Sequence, residues 1–135
     1  IRMKRSSENA ERIALWLQKQ SIVKEVFYPG LPTHPGYEIL KKQARGFGSM
    51  LTFYVDTKEH ALKILEGVRM IKFAESLGGV ETLITYPTTQ THADVPAGVR
   101  EKNGITECTL RMSVGIEDYE DLINELEEVF RKAGE

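Results

Sequence analysis

Apolar residues recur along this chain in two rhythms. The first is helical: Ala10, Ile13, Ala14 and Leu17 fall on one face at i, i+3, i+4 and i+7. Trp16 sits beside that stripe, while Arg12, Gln18 and Lys19 face elsewhere. Ser6 or Ser7 can cap the turn before it, so the pattern predicts a helix from there to about Gln20. Val23 to Tyr28 then predicts a short strand, ended by Pro29-Gly30. Leu31 to Pro35 holds two prolines and must be a loop. Tyr37 to Ala44 reads as a short helix with Ile39, Leu40 and Ala44 apolar, broken by Arg45-Gly46-Phe47-Gly48. Ser49 to Val55 is the strongest strand signal, a mostly apolar run of aromatic and β-branched residues.

Asp56 or Thr57 caps a second amphipathic helix, with Ala61, Leu65 and Val68 on its apolar face, joined by Leu62 and Ile64. Short strands at Ile71 to Phe73 and Glu81 to Ile84 flank the pair Gly78-Gly79. On turn preferences alone, that pair is a turn between two strands; the same glycines also let the backbone come close to another group. Pro87 to Gly104 is a long polar stretch with one helical turn after Pro96. Thr109 to Val114 is another strand, and Asp118 caps a final helix whose face is Leu122, Ile123, Leu126, Val129 and Phe130. Helices and strands alternate irregularly with short connections. The expected fold is therefore α+β: an antiparallel sheet of about four strands with helices packed on one face.

Composition narrows the function more than the fold. The 135 residues suit one domain, and 41% of them are hydrophobic, enough for a real core. The net charge is −2 with no basic stripe, so a nucleic-acid partner is not expected. No apolar run is long enough for a membrane span, and the basic start Ile1-Arg2-Met3-Lys4-Arg5 lacks the apolar core of a signal peptide. Position 1 is Ile rather than Met, which points to a cut or partial protein. The single Cys108 cannot form an internal disulfide, and a reducing cytoplasm is the natural setting. Beside an apolar strand, Cys108 reads as a buried inert thiol. His34, His60 and His92 match no short metal motif, and no metal is expected. His60 reads as a surface residue in a helix's first turn and His92 as a loop-packing histidine.

Several ordered motifs carry a family resemblance. They are Glu75-Ser76-Leu77-Gly78-Gly79-Val80-Glu81, Thr91-His92-Ala93 and Arg111-Met112-Ser113-Val114-Gly115-Ile116-Glu117-Asp118. Arg2-Met3, Asn9-Ala10, Tyr28-Pro29-Gly30-Leu31-Pro32 and His34-Pro35 add to them. Together they resemble the C-terminal small domain of the Cys/Met-metabolism enzymes that use pyridoxal phosphate, a fold-type I family. It includes cystathionine γ-synthase, cystathionine γ-lyase, methionine γ-lyase and the O-acylhomoserine sulfhydrylases. The resemblance implies that residues 1–20 form a helix connecting to an absent large domain, and that residues 21–135 form the C-terminal substrate-binding domain. It implies pyridoxal 5'-phosphate held by that absent N-terminal domain, and a homotetramer in the full-length protein. The implied reaction acts at Cγ of cystathionine- or homoserine-type amino acids, as in a cystathionine γ-synthase or γ-lyase.

Such chemistry needs a Schiff-base lysine. The ten lysines here fall mostly on polar faces or in loops, so the expectation is a domain without that lysine, inactive by itself. Its task would be to grip the amino-acid substrate. A free carboxylate is best held by a planar guanidinium making two parallel hydrogen bonds. Arg111 interrupts its strand between Leu110 and Met112, so it points to the face opposite both. By position alone, an exposed charge on the outer side of a half-buried strand is the more common reading. The resemblance favours substrate binding by Arg111, places Ser76 at the carboxylate end and gives Leu77 a backbone N–H donor there. It also sets Glu75 toward the substrate's distal end, a pointer to γ chemistry, and Thr91 in the pocket wall. A different class stays open: a free-standing α+β module that binds or senses an amino acid without covalent chemistry.

Overall fold

The computed structural model describes residues 1–135. Its elements are α1 (Arg2–Leu17), β1 (Val23–Phe27), α2 (Tyr37–Gln43), β2 (Met50–Val55), α3 (Lys58–Gly67), β3 (Lys72–Phe73), β4 (Leu83–Thr85), α4 (Ala97–Lys102), β5 (Thr109–Ser113) and α5 (Tyr119–Ala133). The strands form one sheet in the order β1-β2-β5-β4-β3. It has five strands where about four were expected, and it is mixed: β3 and β4 run parallel, and every other pair is antiparallel. Parallel neighbours cannot be joined by a tight turn. Residues 74–82 therefore do not make the local hairpin that Gly78-Gly79 suggests; they loop back across the sheet's end.

Alternation along the strands sorts the two faces. Leu51, Phe53 and Val55 of β2, Leu110 and Met112 of β5 and Ile84 of β4 are all buried. They share the core with the stripe Ala10, Ile13, Ala14 and Leu17 of α1 and with Ala61, Ile64 and Leu65 of α3. Leu122, Leu126, Val129 and Phe130 of α5 complete it. Phe130 lies between Trp16 at 5.1 Å and Phe53 at 6.2 Å, centroid to centroid. At 25 cal/mol per Å² of apolar surface, each such side chain contributes about 1.5–3 kcal/mol.

The ends of the helices depart from the sequence pattern in instructive ways. Helix α1 begins at Arg2, a turn before Ser6 or Ser7, and Ser6 is fully buried inside it. Thr57, not Asp56, caps α3 by accepting the His60 N–H. Asp118 caps α5 through the Glu120 N–H, as its position suggests. Helix α2 buries no residue at all, and Ile39 is 60% exposed. No helix is long and apolar enough to cross a membrane.

Candidate functional site

Arg111 stands on the sheet face away from α1, α3 and α5. Its cross-strand neighbours are Thr52 and Thr85, and Thr52 is in turn opposite Phe27, so Phe27, Thr52, Arg111 and Thr85 form one row. The segment between β4 and β5 folds over this row. Pro87, His92, Asn103, Gly104 and Ile105 close a cavity of about 340 Å³ over Phe27, Thr52, Tyr54, Thr109 and Arg111. That volume lies at the small end of ligand sites, where an amino acid fits.

Arg111 itself is half-buried. Its Nε is buried and has no hydrogen-bond partner. A buried donor left unpaired costs about 1–3 kcal/mol, more when it belongs to a charged group. A planar, acceptor-bearing anion entering the cavity would remove that cost, and a carboxylate has the matching geometry. The wall of the cavity is pinned by Tyr54, whose hydroxyl donates to the Gly104 carbonyl. Burial, helped by the Glu25 charge, pushes the Tyr54 phenol above its usual pKa, so it remains a donor at neutral pH. Gly104 takes φ +74°, and a Cβ there would meet the Tyr54 hydroxyl at 2.8 Å, so only glycine fits.

The other sequence candidates are arranged in two groups. Thr91 Oγ1 lies 2.8 Å from His92 Nδ1, and His92 lines the Arg111 cavity, whereas Thr91 itself does not. Glu75, Ser76 and Leu77 are exposed on the 74–82 loop and do not line that cavity. Their loop is nonetheless fastened to the strand of Arg111. The Gly78 N–H donates to Ser113 Oγ at 2.8 Å, and Ser113 is two residues along β5 on the same face as Arg111. The far end of the loop is tied by Ile116 N–H to Val80 O at 2.8 Å and by Glu117, whose carboxylate accepts from the N–H and hydroxyl of Thr82. Asn9 of α1 donates to the carbonyls of Gly115 and Glu117 at 3.2 and 2.8 Å, fixing the same corner from the core side.

Tyr54, Ser113, Thr52 and the cavity role of His92 were not singled out from sequence. For Thr52 and Tyr54 a signal existed in parity, since alternate residues of a strand share a face. Ser113 carries the same signal relative to Arg111. His60, read as a surface residue, is half-buried with its ring 2.5 Å from Asp56 Oδ1. Cys108 is only partly buried; burial first, then the charges of Asp56 and Glu107, push its thiol pKa up. A larger groove of about 580 Å³ runs between α1 and residues 45–48, lined by Lys4, Glu8, Glu11 and Arg45 of mixed charge. No group of three His, Cys, Asp or Glu side chains could hold a metal ion. The ten lysines stand apart from the Arg111 cavity. Nine of the ten are exposed, Lys63 is turned to Glu59 and the Ala133 carbonyl, and none borders the Arg111 cavity. What the residues present do fit is an organic carboxylate.

The site is thus a half-buried guanidinium on a mixed α+β sheet, lining a cavity of amino-acid size. Comparison with known proteins gives the chain a family. Residues 1–131 match the family described as Cys/Met metabolism PLP-dependent enzyme, and the chain belongs to that family. It is 50% identical over 129 residues to a cystathionine beta-lyase of Coxiella burnetii, covering 94% of this chain and 33% of that protein. It is 47% identical over 133 residues to a cystathionine gamma-synthase of Escherichia coli, covering 98% and 34%. Its fold superposes with TM-score 0.94 on a cystathionine gamma synthase of Xanthomonas oryzae pv. oryzae crystallised with cystathionine, at 40% identity over 98% of this chain and 35% of that one. The chain thus spans about a third of the length of these relatives.

Proposed function

We propose that this chain is the C-terminal, substrate-gripping domain of a pyridoxal-phosphate enzyme of transsulfuration. The reaction class is the making or breaking of a bond at Cγ of a cystathionine- or homoserine-type amino acid, as in a cystathionine γ-synthase or γ-lyase. One observation carries this reading: the buried, unpartnered Nε of Arg111, set in a cavity of amino-acid size. Family membership and relatives about three times as long favour it over a free-standing amino-acid sensor.

In this reading, Arg111 takes the substrate's α-carboxylate in a bidentate pair, which fixes the plane as well as the position of the amino acid. Leu77 adds a backbone N–H and Ser76 a hydroxyl at the same carboxylate. Glu75 faces the distal end of the substrate, and Thr91, through His92, stiffens the pocket wall. Orientation of this kind matters because a bound geometry near that of attack removes several kcal/mol from a barrier. Pyridoxal phosphate, when bound, supplies the electron sink. The lysine that carries it lies in an N-terminal domain, and residues 1–20 connect to that domain. The full-length protein works as a cytoplasmic homotetramer without nucleic-acid or membrane partners.

The relatives include β-lyases as well as γ-synthases and γ-lyases at similar identity, so the reaction must be assayed directly. The full-length enzyme, loaded with pyridoxal phosphate, is offered cystathionine, homocysteine, methionine and O-acylhomoserines. Turnover through Cγ supports the proposal. Cystathionine cleaved only to homocysteine and pyruvate assigns β chemistry instead and removes the role given to Glu75.

A further inference from the structure

Within the 74–82 loop, Ala74, Gly78, Val80 and Thr82 are held by hydrogen bonds, and the span between the first two, residues 75–77, is not. Ala74 N–H donates to Ile84 O at 3.1 Å, and Thr85 Oγ1 donates to Ala74 O at 3.0 Å. Gly78 is held on both sides, its N–H by Ser113 Oγ at 2.8 Å and its carbonyl by Arg2 at 2.7 Å. Val80 and Thr82 are fastened to Ile116 and Glu117. Glu75, Ser76 and Leu77 make no hydrogen bond of their own within the chain. Their N–H groups are therefore free donors on a short span with anchored ends.

One of those anchors stands on the strand of Arg111. Ser113 is 3% exposed, and its hydroxyl is the acceptor for Gly78. Two residues along a strand is a Cα separation of about 7 Å, on the same face. A carboxylate on Arg111 is thus close to the tether of the loop whose free donors would complete its grip. Gly78 takes φ +74°, which turns the chain sharply just where it is tied.

We propose that Ser113 is a positioning residue: by accepting the Gly78 N–H, it fixes the free backbone donors of Ser76 and Leu77 in register with Arg111, so that loop and guanidinium bind one carboxylate together. This rests on the substrate reading of Arg111 given above. Ser113 does not touch the substrate. It acts through Gly78, and its loss should weaken carboxylate recognition without loosening the core.

The test uses the full-length holoenzyme and two probes of similar bulk, L-alanine and ethylamine, titrated by the change in cofactor absorbance. Ser113→Ala should weaken L-alanine roughly tenfold, the size of one hydrogen bond to a charged site, and leave ethylamine unchanged. Ser113→Thr, which keeps the hydroxyl, should restore L-alanine binding; Ser113→Cys, a weak acceptor of similar shape, should behave like Ser113→Ala. Amide exchange at Gly78 should quicken in the Ala and Cys variants, with thermal unfolding little changed. Equal effects on both probes, no effect on either, or failure of Ser113→Thr to rescue would overturn the inference. Arg111→Ala separates the two levels. If it discriminates between the probes and Ser113→Ala does not, only the role of Ser113 fails; if neither variant discriminates, the carboxylate reading fails as well.

Discussion

Gly115 joins β5 to α5 at the point where the 80–82 backbone passes, and it leaves no room for a side chain. A Cβ built there would lie 2.2 Å from Val80 O, 2.5 Å from Glu117 Oε2 and 2.6 Å from the Glu81 carbonyl carbon. Two of the three obstacles are backbone, so the clash is relieved only by moving the loop. Forcing a methyl group into a packed site costs about 1–3 kcal/mol. Moving the loop also breaks Ile116 N–H to Val80 O at 2.8 Å and Gly115 N–H to Thr82 Oγ1 at 2.9 Å. Each adds about 1 kcal/mol net. Gly115→Ala should therefore lose about 3–5 kcal/mol, a large share of a typical domain's stability, and lower Tm by roughly 10–18 °C. Gly98 is the internal control, since nothing lies within 4 Å of its Cβ position and it is in α4. Gly98→Ala should be neutral or stabilise by up to about 1 kcal/mol. Urea and thermal unfolding of the 135-residue chain, followed by circular dichroism, read both. A loss below about 1 kcal/mol for Gly115→Ala would refute the packing argument, because the backbone would then have to yield far more cheaply than interiors do.

Three further outcomes can be checked on the same chain. The Glu125 carboxylate accepts the N–H groups of Arg69, Met70 and Ile71 at 2.6, 2.6 and 2.8 Å, tying the approach to β3 onto α5; Glu125→Ala should lower the urea midpoint by the equivalent of about 1.5–3 kcal/mol with unchanged slope, and a change under about 0.5 kcal/mol would contradict it. The raised pKa of Cys108 means less thiolate at any given pH than a free cysteine has, so its iodoacetamide rate at pH 7.4 should fall below that of free cysteine and its rate-versus-pH midpoint should lie higher; a lower midpoint would sink that reading. Mixed with pyridoxal phosphate, the chain alone should give no stable, stoichiometric visible band and no lyase turnover; either one would place the cofactor-bearing lysine among its own ten.

The core and the parity of the strands were legible in the amino-acid pattern because both are periodic. Ala10, Ile13, Ala14 and Leu17 are the buried stripe of α1, and Arg111 faces away from Leu110 and Met112 as alternation requires. The glycine loop was not legible as built. Its shape is set by Ser113, Ile116 and Glu117, some 35 residues further along for both Ser113 and Glu117, and no local preference encodes such partners. Local preference reads Gly78-Gly79 as a hairpin turn, whereas the long-range anchors open it into a parallel connection. The apolar residues of α2 mislead for a related reason. Ile39 has the right spacing for a core face, but this chain offers it nothing to pack against. The Arg111 cavity was half legible: the guanidinium came from parity and motif, but its roof is a polar stretch whose fold depends on Tyr54 and Gly104 meeting across some 50 residues.

The central claim is that Arg111 holds the substrate's α-carboxylate, and kcat/KM of Arg111 variants in the full-length holoenzyme tests it most directly. Removing one partner of a buried, hydrogen-bonded charge pair costs about 2–5 kcal/mol, or roughly 30- to several thousand-fold in kcat/KM. Arg111→Lys keeps the charge but loses the fork, and should recover only part of that loss. The predicted result is a loss of that size for amino-acid substrates in Arg111→Ala, a much smaller loss for amine analogues lacking the carboxylate, and an intact fold with cofactor still bound. Near-normal kcat/KM for amino acids, or an equal loss for both kinds of substrate, would contradict the claim and leave Arg111 a solvated strand residue.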